Sequence, residues 1–487
     1  MDPEQARVGG GPLWSPLGSL QVRVVWRLIA WAMLLAVLRA RGADPLAIDG
    51  ALVPWPYHAI AAAASLLVIF GPRLVLLVAL AAAWIWQQVY VLGAGDPRFD
   101  FVADEHQLFT LVPALAALSA GLCLFEYRDS PESERDDAVS RGQLWQLRMC
   151  TLVALGFAAL HKLNSDFLAP RSSCATLLGE RLAERWGLPG SPLGPLGVLV
   201  LEGLAPVLLV LYPRLGVLWV VVLAAGLGHV GPYAFNALLV ALALAFLPGE
   251  AARAWSRPPR WSWLVLLVGG LVGPGVSARL FAGSGAWWPF ALFELTLAVV
   301  VWLVLVGGSA GSTPVWRPQR PARPLLPGRY AHRSFCVYAA IFLALHGASP
   351  YLGLKYRHSF AMLSNLRVDD DRWNSLVIPR AVYLRATDPL VHVVQVRSAA
   401  GGEYRPERGD REALRPGVYS PQEFRRRYEA ALRRWQALAI DLRYRGVEHR
   451  FGDLRFDGGL RGFAAGLPRE PFFQDVLSGE APQACVH

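Results

Sequence analysis

At 487 residues, with 54% hydrophobic and only 17% charged side chains, the chain is too apolar to hide its hydrocarbon inside a soluble core. That balance excludes the ordinary water-soluble classes and makes a bilayer the solvent. The net charge of +10 does not indicate a nucleic-acid partner, because the arginines gather in loops without the aromatic interleaving of a single-strand groove.

Apolar runs are read as spans over Val22–Leu38, Tyr57–Phe70, Leu74–Leu92, Gln107–Phe125, Leu147–Lys162, Pro195–Leu211, Gly216–Gly228, Pro232–Phe246, Trp263–Phe281, Trp288–Val306 and Ser334–Leu345. Since a helix needs roughly 20 apolar residues to cross about 30 Å of hydrocarbon, this predicts an all-α polytopic membrane helical bundle of about eleven spans over residues 1–349. The seventh and eighth runs are short. The Gly228-His229-Val230-Gly231-Pro232 stretch between them reads either as a tight outer turn or as a break at membrane depth. The first run is followed by Arg39 and Arg41 and then by further spans, so it is expected to be a retained helix rather than a cleaved leader.

Arginine asymmetry sets the expected orientation. The Glu126–Arg148 stretch carries Arg128, Arg135, Arg141 and Arg148, and the Gly308–Arg333 stretch carries Arg317, Arg320, Arg323, Arg329 and Arg333. Both read as cytoplasmic, which places the amino terminus inside and the carboxy-terminal region outside, in the bacterial inner membrane. Cys123, Cys150 and Cys336 are expected to be packed thiols; Cys174 and Cys485 fall outside and are placed to form a disulfide in an oxidising compartment.

Residues 350–487 are expected to form a small α+β extracytoplasmic region. Ser375–Leu384 and Leu390–Ser398 are β-like runs, and Ser420–Ile440 reads as a helix with Ser420 as N-cap and Glu423 three residues on. Phe424, Tyr428, Leu432, Trp435 and Leu438 follow at helical spacing.

Lys162 stands out chemically. The chain has two lysines, Lys162 and Lys355, against forty-five arginines. An amine in an apolar setting can give up its proton and act as a base, which a guanidinium cannot. The plain alternative is an amine that snorkels to the headgroups or pairs with Asp166 one turn later. His58, His106, His161, His229 and His346 are expected at the same outer level, and Gln87, Gln88 and Asn236 add hydrogen-bonding capacity there. Glu202 and Glu294 fall inside spans, where a carboxylate is expensive and marks a site by default. No His-x-x-x-His or Cys-x-x-Cys spacing is present, so no metal is expected.

The run Gly156-Phe157-Ala158-Ala159-Leu160-His161-Lys162-Leu163-Asn164-Ser165-Asp166-Phe167-Leu168 resembles the Lys-Leu-Asp-Ala-Asp-Trp segment of the vitamin K-dependent γ-carboxylases and of the broader HTTM membrane family sharing their transmembrane domain. His106-Gln107-Leu108-Phe109 looks like the Asn-His-Ser-Tyr-Leu helix start of those enzymes, and Gly228-His229 through Phe235-Asn236 sits where the family has a histidine-containing helix start. Phe360–Arg367 followed by Trp373-Asn374 looks like a feature of bacterial relatives, with no chemistry attached to it. The resemblance implies Lys162 as the base toward a reduced quinone of the vitamin K hydroquinone type, assisted by His106, with His229 as a further catalytic candidate. Glu202, Asn236 and His161 are the candidate cofactor-binding groups.

The expected function is quinol-linked oxygenation or carboxylation-type chemistry on a peptide, protein or lipid, with the bilayer and a lipid-soluble quinone as partners and no nucleic acid. Two other classes stay open: a non-catalytic membrane partner for maturation or export of another protein, and a small-molecule transporter.

Overall fold

The structure, a computed structural model, describes residues 18–38, 55–93, 104–189, 194–228, 233–280, 287–309, 329–352, 364, 366, 368, 373–384, 390–402, 404, 413–467 and 476–477. The chain is mostly helical. In order, the helices are α1 (Leu20–Leu38), α2 (Trp55–Phe70), α3 (Leu74–Gly93), α4 (Asp104–Glu126), α5 (Glu132–Lys162), α6 (Ser165–Leu168), α7 (Cys174–Trp186), α8 (Pro195–Leu211), α9 (Pro213–Gly228), α10 (Tyr233–Ala243), α11 (Gly249–Ala254), α12 (Ser262–Leu280), α13 (Trp287–Ser309) and α14 (Tyr330–Ala348). After them come β1 (Val391–Ser398), β2 (Gly417–Tyr419), α15 (Pro421–Arg433), β3 (Leu438–Tyr444), β4 (Val447–Phe451), α16 (Gly458–Gly466) and β5 (Val476–Leu477).

Among the described residues, four helical stretches are long and apolar enough to cross a membrane: Leu20–Leu38, Leu108–Glu126, Glu132–Lys162 and Trp288–Gly308. Shorter apolar helices pack around them. The bundle buries Trp26, Ile29, Trp84 and Phe109 completely, yet Phe70, Leu264, Leu271 and Leu345 remain largely exposed on its outside. An apolar exterior over an apolar interior is what a lipid solvent produces, whereas water would select polar outer faces.

α10 explains why the middle runs read as too short. All of this eleven-residue helix is buried except the partly buried Phe235, and it packs on α1, α5, α9 and α13. Its apolar character therefore serves protein packing on all sides. It tightens into a 3-10 turn at Leu244–Phe246 before Pro248. The carbonyls freed there are met by side chains: Gln21 Nε2 donates to Leu244 O (3.2 Å) and Leu247 O (2.7 Å), and Arg148 Nε donates to Ala245 O (2.8 Å). Satisfying these groups matters because water is not at hand to do so.

Much of the arginine-rich stretch before Arg148 is helical rather than loop, since α5 begins at Glu132 and runs for 31 residues. Glu126, the last residue of α4, caps the amino terminus of α14. Its Oε2 accepts from Arg329 N (3.1 Å) and its Oε1 from Ala331 N (2.5 Å) and His332 N (3.1 Å). A carboxylate on those otherwise orphaned N–H groups also meets the positive end of the helix dipole.

The carboxy-terminal part holds an antiparallel five-stranded sheet in the order β4-β3-β1-β2-β5. Its own core includes Val391, Val393, Tyr419, Phe424, Tyr428, Ile440 and Leu460. Two sequence expectations are corrected here. Ser375–Leu384 is not a strand: it carries one isolated bridge to Asn164 and a 3-10 turn at Arg380–Val382. Ile378 and Val382 pack on the cluster of Tyr351, Leu366 and Val368, while Leu376, Val377 and Leu384 are exposed. The helix expected over Ser420–Ile440 stops at Arg433, where Trp435 takes a left-handed conformation (φ 53°) and its N–H bonds Leu432 O. Leu438 then opens β3. The N-cap itself is as expected, with Ser420 Oγ accepting from Glu423 N at 3.1 Å.

Candidate functional site

α5 ends on Lys162, and the chain turns at once: Leu163 N bonds Leu160 O, and Asn164 caps α6 by accepting from Phe167 N at 2.8 Å. α8 packs against α5. It starts at Pro195, a residue suited to a first helical turn because it has no N–H to leave unpaired. Glu202 is the eighth residue of α8, about 10 Å along its axis at 1.5 Å per residue. At that level its Oε2 lies 2.7 Å from Lys162 Nζ, with the two side chains 7% and 3% exposed. Lys162 Nζ also donates to Ala158 O at 3.4 Å and sits 5.9 Å from the centre of the Phe167 ring. Phe167 is held by Ala175 of α7 and Val198 of α8, so an aromatic ring stands beside the amine.

His161, the preceding residue, is buried elsewhere. Its Nδ1 lies 3.1 Å from Tyr351 Oη, and the two rings stack at 5.2 Å. Close approach of α14 makes this possible: Gly347 lies so near the Phe157 ring that a Cβ there would collide with it. Tyr351 also hydrogen-bonds the Ser375 side chain, and burial pushes its phenol well above the ordinary tyrosine value.

Asn164 is the hub of the turn behind Lys162. Its Nδ2 donates to His161 O (2.7 Å) and Ser364 O (2.5 Å). Asn374 Nδ2 donates to Asn164 Oδ1 (3.4 Å) and to Asp166 Oδ2 (3.0 Å). Backbone bonds add to these, from Ser165 N to Asn374 O and from Leu376 N to Leu163 O. Leu366, Val368 and Tyr351 form a small apolar cluster with Leu160, Trp373 and Ile378 packed against it. Ser364 and residues 373–378 are thus fastened to the end of α5.

Of the residues singled out by sequence, the structure brings together Lys162 and Glu202 and places His161 next to Lys162 in the chain but toward Tyr351. Asn236 is buried within α10. His106 lies in the first turn of α4 with its side chain outside the described set; His229, like Lys355 and Cys485, lies outside the described residues. Cys174 is disulfide-bonded, whereas Cys123, Cys150 and Cys336 are free and buried. Among the described residues no group of three or more His, Cys, Asp and Glu is arranged to hold a metal ion. Sequence reasoning quoted Asn164, Ser364 and Asn374 only as parts of resembling motifs and gave them, like Tyr351, no role. Two asparagines far apart in the chain carry no periodic signal, and only their meeting in space gives them a role.

The arrangement can hold a proton between an amine and a carboxylate, out of contact with water. Comparison with models of known families, with curated proteins and with solved structures finds no match, so the geometry of Lys162 and Glu202 and the motifs around them carry the functional reading.

Proposed function

We propose that this protein is an integral membrane enzyme that moves a proton at the Lys162–Glu202 pair in the service of quinol-linked oxygenation or carboxylation-type chemistry. In this reading the chain is an eleven-span bundle of the HTTM type in the bacterial inner membrane. Its amino terminus is cytoplasmic, and the pair and the carboxy-terminal region lie toward the outer face. The observation that carries the proposal is the 2.7 Å contact between an amine and a carboxylate that are both almost completely buried. Two such groups are costly to desolvate, and a protein that keeps them in an apolar bundle gives up stability that a hydrophobic pair would have supplied.

The donor set fits a reduced quinone, since one amine and one carboxylate can share and exchange a hydroxyl proton without water. A bound quinol would supply the acidic hydroxyl and the electrons. A proton passing from Lys162 Nζ to the Glu202 carboxylate 2.7 Å away leaves Nζ as a neutral amine able to accept another. Ala158 O orients the amine along the helix end, and Phe167 shields it.

The test uses the full chain in nanodiscs with vitamin K hydroquinone, oxygen and labelled bicarbonate, following quinol consumption and label incorporation. Wild type is expected to consume quinol faster than empty nanodiscs, and Lys162→Arg, which keeps the charge but cannot become a neutral base, is expected to fall to the empty-disc rate. A wild-type rate equal to that of empty discs, or an undiminished Lys162→Arg, sinks the proposal. A second reading, a non-catalytic membrane partner for another exported protein, draws on the way Ser364, Asn374 and Leu376 are fastened over the end of α5, which gives Asn164 a structural use.

A further inference from the structure

The sheet of the carboxy-terminal part ends on β4, a five-residue strand whose far side meets no other strand among the described residues. Edges that stay free are usually blunted by lysine, proline or a bulge. β4 carries no lysine or proline, and it pairs with β3 in an unbroken register from Tyr444↔Val447 to Ile440↔Phe451. Arg445 and Gly446, at φ 51° and 78°, form the left-handed two-residue turn between the strands, so Tyr444 and Val447 close the hairpin as a hydrogen-bonded pair. Bonded and non-bonded pairs alternate in an antiparallel ladder. Val447, His449 and Phe451 therefore turn their N–H and C=O toward β3, while Glu448 and Arg450 turn theirs to the open side.

The side chains of this edge divide in the same way. His449 and Phe451 lie over Phe463 of α16, with ring centres 5.1 and 5.7 Å away. Glu448 and Arg450 are exposed on the other face, across from Arg443 and Asp441 of β3. Asp441 is already held by Arg397 of β1, at 2.8 and 2.9 Å. Among the described residues neither Glu448 nor Arg450 makes an ion pair or a side-chain hydrogen bond, so both charges are available.

We propose that the β4 edge pairs with the β4 edge of a second copy of this chain, antiparallel and centred on His449. In this register Glu448 of each copy faces Arg450 of the other. The N–H and C=O groups of the facing residues bond each other, which uses all four groups that each edge turns outward. The charged face continues across the junction as Asp441 and Arg450 of one copy, then Glu448 and Arg443 of the next. Signs alternate along that row, and opposite charges on facing residues attract. A slip of one residue sets outward groups against inward ones and turns side chains to the wrong face; a slip of two sets Arg450 against Arg450 or Glu448 against Glu448. An unrelated peptide would have to supply acid and base in this same order, whereas a second copy brings them by symmetry. This surface is independent of the chemistry assigned to Lys162.

The test uses full-length His449→Cys in detergent, oxidised mildly with copper phenanthroline and run on a non-reducing gel. Facing residues of a non-bonded pair have Cα atoms about 4.5 Å apart, within reach of a disulfide. Wild type, whose Cys123, Cys150 and Cys336 are free and buried, is the control. His449→Cys is expected to give a dimer band and wild type none. In the His449→Cys background, Glu448→Arg alone and Arg450→Glu alone each set like charges opposite one another and are expected to lose the band. Mixing those two variants sets opposite charges face to face again and is expected to restore it. A His449→Cys that gives no dimer, single charge variants that cross-link undiminished, or a mixture that stays monomeric overturns the proposal. Should circular dichroism show that His449→Cys fails to fold, light scattering on wild type and on the two charge variants decides it: wild type is expected at twice the monomer mass, each variant alone at the monomer mass and their mixture at the dimer mass, and a monomeric wild type overturns the proposal.

Discussion

Replacing one member of the Lys162–Glu202 pair should be far more damaging than replacing both. With side chains 3% and 7% exposed, neither group can turn to water when its partner is lost. Glu202→Leu leaves a buried ammonium, and Lys162→Met leaves a buried carboxylate; each is expected to cost about 3–5 kcal/mol. The double variant Lys162→Met/Glu202→Leu removes both desolvation penalties and leaves two apolar side chains between α5 and α8, so its stability should be within about 1 kcal/mol of wild type or above it. The measurement is a double-mutant cycle by denaturant unfolding in one detergent, read by circular dichroism and tryptophan fluorescence. Single variants costing under about 1 kcal/mol, the range of exposed pairs, would refute the burial argument. A double variant costing the sum of the singles would refute the coupling. The same double variant, if folded, should be inactive in the quinol assay, which separates the chemical use of the pair from its structural cost.

Asn164→Ala should destabilise by about 1–3 kcal/mol, because Phe167 N and Ser364 O lose their partner in a buried turn. Limited proteolysis should then cut Ser364–Ile378 sooner than in wild type, and an unchanged cleavage rate would count against the hub. Glu126→Ala should lower hydrogen-exchange protection at Ala331 and His332, with a cost of about 1–2 kcal/mol for the lost cap. Unreduced, denatured protein should titrate three thiols, those of Cys123, Cys150 and Cys336, and gain further thiols on reduction because Cys174 is bonded. The Arg455 guanidinium holds the Asp453 carboxyl below the ordinary aspartate range. Because the folded value is the lower one, this pair contributes above the unfolded aspartate value and is lost as pH falls through the folded one, an order that an NMR titration of Asp453 would check.

Apolar runs long enough to notice were legible as helices, and Pro195–Leu211 matches α8 at both ends because Pro195 opens it and Pro213 forces Tyr212 out of helical backbone. Where polarity mixed with apolar character the reading failed for physical reasons. Leu376, Val377 and Ile378 look like strand residues, yet their neighbourhood is the end of a helix, and Asn374 and Ser375 hold them there. Trp435 continued a helical stripe on paper, but its left-handed backbone turns the chain toward β3. Lys162 was visible through its rarity and Glu202 through its cost at membrane depth. Their contact spans forty positions, and no local periodicity encodes it. Asn164 and Asn374 stood in quoted motifs, but their contact was hidden for the same reason.

The fastening of Ser364 and Asn374 to the end of α5 also sets an order of assembly. Asn164 finds its partners 200 and 210 positions further along the chain. Lys162 and Glu202 can meet while synthesis is still under way, but the turn behind the lysine keeps unmet amide and carbonyl groups until the later segment emerges. A ribosome that stops between those points therefore leaves a bundle with its ion pair formed and its end unsealed, a species that membrane quality-control proteases can distinguish from the finished protein by that turn alone.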